Sequence, residues 1–239
     1  MIVDMHVHTA RGGYDSSLTV PQLIEEAETK GIGAVCLTEH MYFWTRKELD
    51  GFNSNHNVVL IGAIEVETDM GHILAFGLHR YISGIHKLKE LRRVIDEVGG
   101  FLIVAHPFRM FFHPEEFNVK PKRTWSRVIE DALDLPVLGL ADAIEVLNGG
   151  CNQRENLLAL IVAKRLGIMG TGGSDTHSDR GVGSFATVFE REISGESDLI
   201  AELKAGRFYP AKRLRNGKII RYDNDPLLDN LDEQDLCFP

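Results

Sequence analysis

Two imidazoles two residues apart, His6 and His8, close an apolar run that opens with Ile2 and Val3. On a β-strand such residues point to the same side, about 6.6 Å apart along the strand. The spacing therefore aims both rings into one pocket. With ten histidines in 239 residues, about 0.4 His-X-His pairs arise by chance, so the pair alone decides little. It gains force because Asp175 and His177 repeat the i, i+2 pattern near the other end, in Ser174-Asp175-Thr176-His177. Between them His40, Glu65, His72 and His106 each stand at or beside the end of an apolar run. Six of the ten histidines and two carboxylates so placed suggest a metal cluster built from nitrogen and oxygen donors. Such donors suit zinc, manganese or iron, and softness alone does not choose among them.

Something must bring these residues together, and the pattern between them says what. Short apolar runs alternate with helical periodicity, which points to α/β units with parallel strands. Strands are expected at Ile2–Val7, Ala34–Thr38, Val58–Glu65, Ile73–Leu78, Phe101–Ala105, Ala143–Leu147, Ile168–Gly172 and Ala186–Phe189. Helices fit at Pro21–Lys30, with proline early and Gly31 after the end, and at Leu88–Val98, Trp125–Leu133, Gln153–Leu166 and Asp198–Ala205. One β/α barrel of about seven strands is the simplest architecture. In such barrels reactive residues come from the C-terminal ends of the strands. His6, His8, His40, Glu65, His106, Asp175 and His177 fall there, as do Glu145 and Asn148; His72 instead precedes its strand, after a turn at Asp69–Gly71.

Composition narrows the field further. A hydrophobic content of 44% supports a substantial core, and no run approaches eighteen uninterrupted apolar residues, so no membrane span is expected. Asp4 and His6 interrupt the first apolar segment and no basic run precedes it, which argues against a signal peptide and for the cytoplasm. Cys36, Cys151 and Cys237 are far apart and in no C-x-x-C spacing, hence neither a disulfide framework nor a thiolate zinc site, and Cys36 reads as core. A net charge of −9 argues against extended binding to duplex nucleic acid, which needs many phosphate-neutralising cations. A short nucleotide or a nucleic-acid end stays open, because bound divalent ions reverse the local field.

The ordered motifs resemble the PHP family, the polymerase and histidinol phosphatase domain. Asp4-Met5-His6-Val7-His8-Thr9 is similar to its first motif, and Thr38-Glu39-His40 to its second, where the family more often has aspartate in the middle. Gly62-Ala63-Ile64-Glu65-Val66 resembles the strand with the bridging glutamate. Ala105-His106-Pro107 and Gly173-Ser174-Asp175-Thr176-His177 resemble the later motifs. The resemblance covers about residues 1–190. It implies an α/β fold, a distorted (β/α)7 TIM-like barrel. Residues 1–210 would form it, and residues 211–239 a C-terminal extension. It also implies two to three divalent metal ions (manganese, zinc or iron) and hydrolysis of a phosphate ester by a metal-bound hydroxide. By position, His6, His8, Glu65 and Asp175 would hold the first ion. Glu65 would bridge to a second with His72 and His106, and Asp15, His40 and His177 would hold a third. Glu65, Asp175 and His177 are the expected catalytic residues, with the proton-handling role open between the last two.

Other residues carry two readings each. Arg109, three positions after His106, Arg180, three after His177, and Arg11, after His8, are candidate phosphate binders, since a guanidinium fork suits phosphate oxygens. Plain surface arginine is the alternative for each. Glu39 either steers His40 or starts a helix, and Glu67 either supports Glu65 or is an exposed strand-end charge. His56, His79, His86 and His113 lie outside the motifs and read as surface residues. The basic stretch from Arg207 through Lys212, Arg213 and Arg215 to Lys218 reads as a solvated tail. The expected partner is a small phosphorylated substrate or a nucleic-acid end, with no membrane and no tight duplex binding; the oligomeric state is open. The alternatives are a C–N hydrolase of the amidohydrolase type, whose carbamylated lysine has no counterpart here, or a non-catalytic PHP module.

Overall fold

In this computed structural model, which describes residues 1–110, 125–213 and 216–224, helices and strands alternate for most of the chain. The order is β1 (Ile2–Val7), α1 (Val20–Thr29), β2 (Ala34–Glu39), α2 (Arg46–Asn53), β3 (Val59–Thr68) and β4 (Gly71–Phe76). Then come α3 (Leu88–Val98), β5 (Phe101–Val104), α4 (Trp125–Leu133), β6 (Ala143–Asn148), α5 (Gln153–Leu166) and β7 (Met169–Gly173). The described chain ends with β8 (Phe185–Phe189), α6 (Glu196–Lys204), β9 (Phe208–Arg213) and β10 (Ile219–Arg221). His113 and Cys237 lie outside the described residues, as do Arg215 and most of the Asp- and Asn-rich stretch at the C-terminus.

The ten strands form one curled sheet in the order β10-β9-β8-β1-β2-β3-β4-β5-β6-β7. Strands β1 to β7 curl into the TIM-like barrel. Its closure is local: Val7 bridges Thr176 in parallel, Asp175 N donates to His6 O at 2.7 Å, and His8 N donates to Thr176 O at 3.1 Å. Lower down, β1 pairs with antiparallel β8 instead, and the Thr187 hydroxyl stitches β8 to both backbone groups of Gly172. That split seam is the distortion of the barrel. The sheet then continues through β9 and β10, where Ile219 pairs with Arg213; the basic stretch expected as a solvated tail is thus in large part the strand Phe208–Arg213, paired on both sides.

Two of the expected strands depart from the parallel set, β8 against β1 and, with more consequence for the site, β4. β4 is antiparallel to both β3 and β5. Only Asp69 and Met70 separate it from β3, and a parallel return needs a crossover of a dozen or more residues. The hairpin turns with Gly71 at φ +106°, a conformation that favours glycine. Its consequence is functional: because β4 runs backwards, its first residues lie at the end where its neighbours finish. His72, at the wrong end of its own strand, thereby reaches the same face as the other histidines.

Local signals explain the helices. α1 and α5 begin at capping boxes, Thr19 with Gln22 and Asn152 with Glu155, and α3 and α5 stop at Gly99 and Gly167 in left-handed backbone. Helices α3 to α5 pack Leu91, Ile95, Ile129 and Leu158 against the β4–β6 side, while α1 covers Val35 and Leu37 with Leu23 and Ile24. The barrel interior is filled by Met5, Cys36, Ile61, Leu74 and Ile103, and α6 closes its floor with Leu199 and Leu203. Cys36 is fully buried beside Met5, as its sequence context implied. A register shift in β1 between Asp4 and Val7 separates two environments. Val3 and Met5 fill the floor, whereas His6 and His8 face the open mouth; bulges commonly re-aim side chains in this way beside active sites.

Candidate metal centre

At that mouth the ends of six strands deliver imidazoles and carboxylates to one place. Glu65, three residues before the end of β3, which runs on past the expected stop to Thr68, is almost wholly buried and sits at the centre. Its two oxygens face different partners. Oε1 lies 2.8 Å from His72 Nδ1 and 2.9 Å from His106 Nε2. Oε2 lies 3.2 Å from both His6 Nε2 and His8 Nε2, and 3.5 Å from His40 Nδ1. Asp175 Oδ1 stands 3.5 Å and 3.4 Å from the same His6 and His8 nitrogens. At the outer edge Asp15 Oδ2 is 3.3 Å from His40 Nε2 and 3.2 Å from His177 Nε2. His8 links the halves, its ring stacked between those of His40 and His177 with centroids 4.5 Å away on each side. All nine residues that the sequence singled out as ligands are thus brought together.

The donor set suits divalent ions. Three groups of potential ligands, His6/His8/Asp175, His6/Glu65/His106 and His8/His40/His177, have their ligand atoms within 4.8 Å of one another. His6 Nε2 and His8 Nε2 point at each other across 3.0 Å, and Asp175 Oδ1 is buried without a hydrogen-bond partner. Buried acceptors aimed at a common point are costly unless a cation or proton joins them. The donors are imidazole nitrogens and carboxylate oxygens throughout, with no thiolate among the described ligands.

The charges within the cluster polarise it strongly. Burial works to lower the His6 pKa, but Asp175, Glu145 and Glu65 outweigh it and hold the ring well above its ordinary value. Burial would likewise raise Glu65 and Asp175, yet His6 and the neighbouring rings, with Arg109 for Asp175, hold both carboxyls low. His40 is the exception, lowered chiefly by burial. Two carboxylates kept ionised beside crowded imidazoles attract cations, and perturbed groups of this kind gather at functional sites.

A further layer holds the candidate ligands in place; the sequence reading put Glu145 and Asn148 at the same strand end but assigned them no role. Glu145, buried on β6, places Oε1 3.0 Å from His6 Nδ1 while Oε2 accepts from His106 N and Asn148 Nδ2, both at 2.9 Å. Asn148 also donates to Asp175 Oδ2 at 3.1 Å. A carboxylate on one imidazole nitrogen fixes the ring's orientation and leaves the other nitrogen free to bind a metal. Asp4 ties β1 to two loops, accepting from Ser174 N at 2.9 Å and Gly183 N at 2.8 Å; burial nevertheless pushes its pKa up to about 6. His106 and Asp175 adopt left-handed backbone, φ +28° and +49°, which costs about 1–3 kcal/mol each and persists only where surroundings enforce it. Here the His106 N–Glu145 and Asp175 N–His6 bonds enforce it. The signals for Glu145 in the sequence were a carboxylate inside the apolar run Ala143–Leu147 and its place near that strand's C-terminal end.

The arginines separate. Arg109 reaches the cluster, Nη2 donating to Asp175 Oδ2 at 2.6 Å, and packs so tightly on Gly150 that a Cβ there would fall on the guanidinium. Arg11 turns away to Tyr42 and Glu48, and Arg180 is exposed in a 3-10 turn at Asp179–Gly181. Glu39 neither steers His40 nor starts a helix. It is fully buried and accepts from Thr9 N, Thr9 Oγ1 and Trp44 Nε1, bracing the loop after β1. Glu67 is exposed opposite His72 in the hairpin register. His79 pairs with Glu196 at the surface, and His56 and His86 are exposed away from the cluster.

Comparison with known proteins agrees with this geometry. The PHP domain family model matches residues 4–111, and a PHP-associated model matches residues 153–208. No curated protein matches the sequence. Among solved structures, a two-domain protein from Bacteroides vulgatus, named as containing a predicted PHP-like metal-dependent phosphoesterase, aligns with TM-score 0.60 and 19% identity. The alignment covers 88% of this chain but 64% of that one, so the chain spans less than two thirds of its length. PsfC from Pseudomonas syringae aligns with TM-score 0.58 and 18% identity over 98% of both chains. An amidohydrolase from Chromobacterium violaceum, solved with bound sulfate and no metal, aligns with TM-score 0.56 and 16% identity over 94% of this chain and 99% of that one. At these identities the likeness speaks for the fold. Taken with the order of the ligand motifs and the strand ends that carry them, the two model matches place the chain in the PHP family.

Proposed function

We propose that the protein is a metal-dependent phosphoesterase of the cytoplasm, acting on a small phosphorylated substrate or a nucleic-acid end. The observation that carries this reading is Glu65, with each oxygen facing its own set of imidazoles, an arrangement suited to bridging two ions. His6, His8, Glu65 and Asp175 would hold one divalent ion, Glu65, His72 and His106 a second, and Asp15, His40 and His177 a third. When bound, such ions supply Lewis acidity that brings the pKa of a water towards ~7 and neutralise charge on a phosphoryl group.

The chain's own residues do the rest. Glu145 holds the His6 ring in the orientation that presents Nε2 to the cluster. Arg109, now on Asp175, offers a guanidinium fork to phosphoryl oxygens beside His72 and His106. Of the two groups proposed for proton handling, Asp175 is engaged by Arg109 and Asn148. His177 stands half-exposed at the mouth, its Nδ1 donating to Asp175 O. In the overall reaction water adds to phosphorus, the ester P–O bond breaks, and the leaving oxygen takes the proton to give an alcohol and phosphate. The catalytic unit in this reading is residues 1–210, with residues 211–239 as an extension. A C–N hydrolase is served less well, because a carboxylate occupies the central position where that chemistry calls for a carbamylated lysine.

The test is a screen of phosphomonoesters, phosphodiesters and short oligonucleotides with enzyme loaded separately with manganese, zinc and iron. The reading expects metal-dependent release of phosphate from at least one class. No hydrolysis of any of them, together with tight and steeply salt-dependent binding to long duplexes, would refute it.

A further inference from the structure

Nothing in the cluster itself names the organic group that carries the phosphate, but a neighbouring cavity of about 390 Å³ bears on it. Its size lies near the lower end of the ~300–1,000 Å³ usual for small-molecule sites. One end is polar: His72 and His106, whose nitrogens face Glu65, and Arg109 on Asp175. The remainder is apolar, with Met70, Pro107, Met110, Leu135 and Val137 on its walls. Met110 and Leu135 are 59% and 37% exposed, and Tyr14 and Met41, beside Asp15 and His40, stand exposed on other loops of the same mouth. Large apolar side chains left in water around a charged cluster gain free energy when an apolar ligand covers them. Among the described residues lining the cavity there is no carboxylate, hydroxyl or side-chain amide. Along its apolar walls an ammonium meets no carboxylate among the described lining residues, and hydroxyls would lose water for little in return.

We infer that, granted the phosphoesterase reading, this cavity receives the organic part of the ester and prefers a compact, uncharged apolar group such as an aryl ring. The phosphate then lies at the His72–His106–Arg109 end. Met70 and Met110, unbranched and polarisable, suit the face and edge of a ring. The cavity selects against amino-alcohol and polyol phosphates.

The experiment compares benzyl phosphate, 2-aminoethyl phosphate and glycerol 3-phosphate on the metal-loaded enzyme. All three release a primary alcohol, so their intrinsic P–O reactivities are alike. Benzyl phosphate is expected to lead in kcat/KM by tenfold or more. Leu135→Asp should cut that preference by at least tenfold, and Leu135→Met should keep it. Leu135 precedes the 3-10 turn Pro136–Gly139 in extended backbone, where aspartate is a favoured cap, so the variant is expected to fold. Equal or reversed preference, or a preference untouched by Leu135→Asp, overturns the inference. Should none of the three be hydrolysed, calorimetric titration with benzylphosphonate and 2-aminoethylphosphonate still decides it. Tighter binding of the benzyl compound, lost in Leu135→Asp, upholds the cavity's role and leaves the phosphoesterase reading to the wider screen; equal affinity overturns the inference without touching that reading.

Discussion

Replacing Glu145 by glutamine keeps the side chain's shape and changes only its charge and one acceptor. The structure shows why that small change is expected to matter. Oε1 serves His6 Nδ1, while Oε2 accepts from two donors, His106 N and Asn148 Nδ2. If the glutamine oxygen takes the place of Oε2, its NH2 group faces His6 Nδ1 and the ring must turn acceptor there. The proton then moves to Nε2, the nitrogen aimed at the cluster. If the amide is reversed, NH2 confronts two donors, and leaving them unsatisfied costs about 1–3 kcal/mol each. Either way the ligand field weakens. Partners of ligating histidines are worth ~10–100-fold in metal affinity, or about 1.4–2.7 kcal/mol. Elemental analysis and calorimetric titration with manganese or zinc read this directly, with circular dichroism to establish that the fold is kept. A Glu145→Gln variant that is folded, and binds metal with wild-type affinity, would refute the claim that Glu145 sets the His6 tautomer.

Other perturbations follow from the same contacts. Asp4→Ala leaves Ser174 N and Gly183 N buried without their acceptor, and removal of a carboxylate that burial disfavours offsets part of the loss. A destabilisation of about 2–4 kcal/mol is expected in urea unfolding, and a change under ~0.5 kcal/mol would contradict the bracing role. Arg109→Ala should raise KM for anionic substrates about tenfold with a smaller fall in kcat; an unchanged KM removes Arg109 from phosphate binding. For chelator-treated protein the pH dependence has a definite sign. His6, His8 and His72, held above their ordinary value, favour folding while protonated, a contribution complete below about pH 6.5 and lost as pH climbs through their raised values. Glu65 and Asp175, held low, contribute fully above about pH 4.5 and less as pH falls. Metal-depleted protein should therefore melt highest between about pH 4.5 and 6.5. Bound metal needs neutral imidazoles, so the gap to the loaded protein should widen from pH 6 to 8, to about 5–10 °C at hundredfold-saturating metal. A gap that narrows over that range would contradict this balance.

How far the sequence carried depends on where the information lay. Apolar runs and their caps located eight strands and five helices within a few residues, because most positions of those strands are buried, α1 and α5 open on capping boxes, and α3 and α5 stop at left-handed glycines. The direction of β4 was not visible in periodicity. It follows from a two-residue turn that leaves no room for a crossover, and it explains how His72 reaches the cluster. α2 escaped notice because it buries no side chain and contains Gly51, although Thr45 and Glu48 form its capping box. β9 mixes Pro210 with Lys212 and Arg213, so nothing in its pattern marks a strand that pairs on both sides. Histidines and carboxylates at strand ends were conspicuous as ligands. The orienting roles were not, since Glu145, noted only as a strand-end residue, and Asp4 act through the tertiary structure, across 139 residues to His6 and 179 to Gly183.

The central claim is that Glu65 joins two metal sites, and metal stoichiometry tests it most directly. After loading and removal of excess ion, elemental analysis of the wild-type protein should give two to three equivalents of divalent metal per chain. Glu65→Gln, whose amide cannot supply charge to two ions, should keep the fold and retain no more than about one equivalent. Less than one equivalent in the wild type, or an undiminished content in Glu65→Gln, would contradict the account.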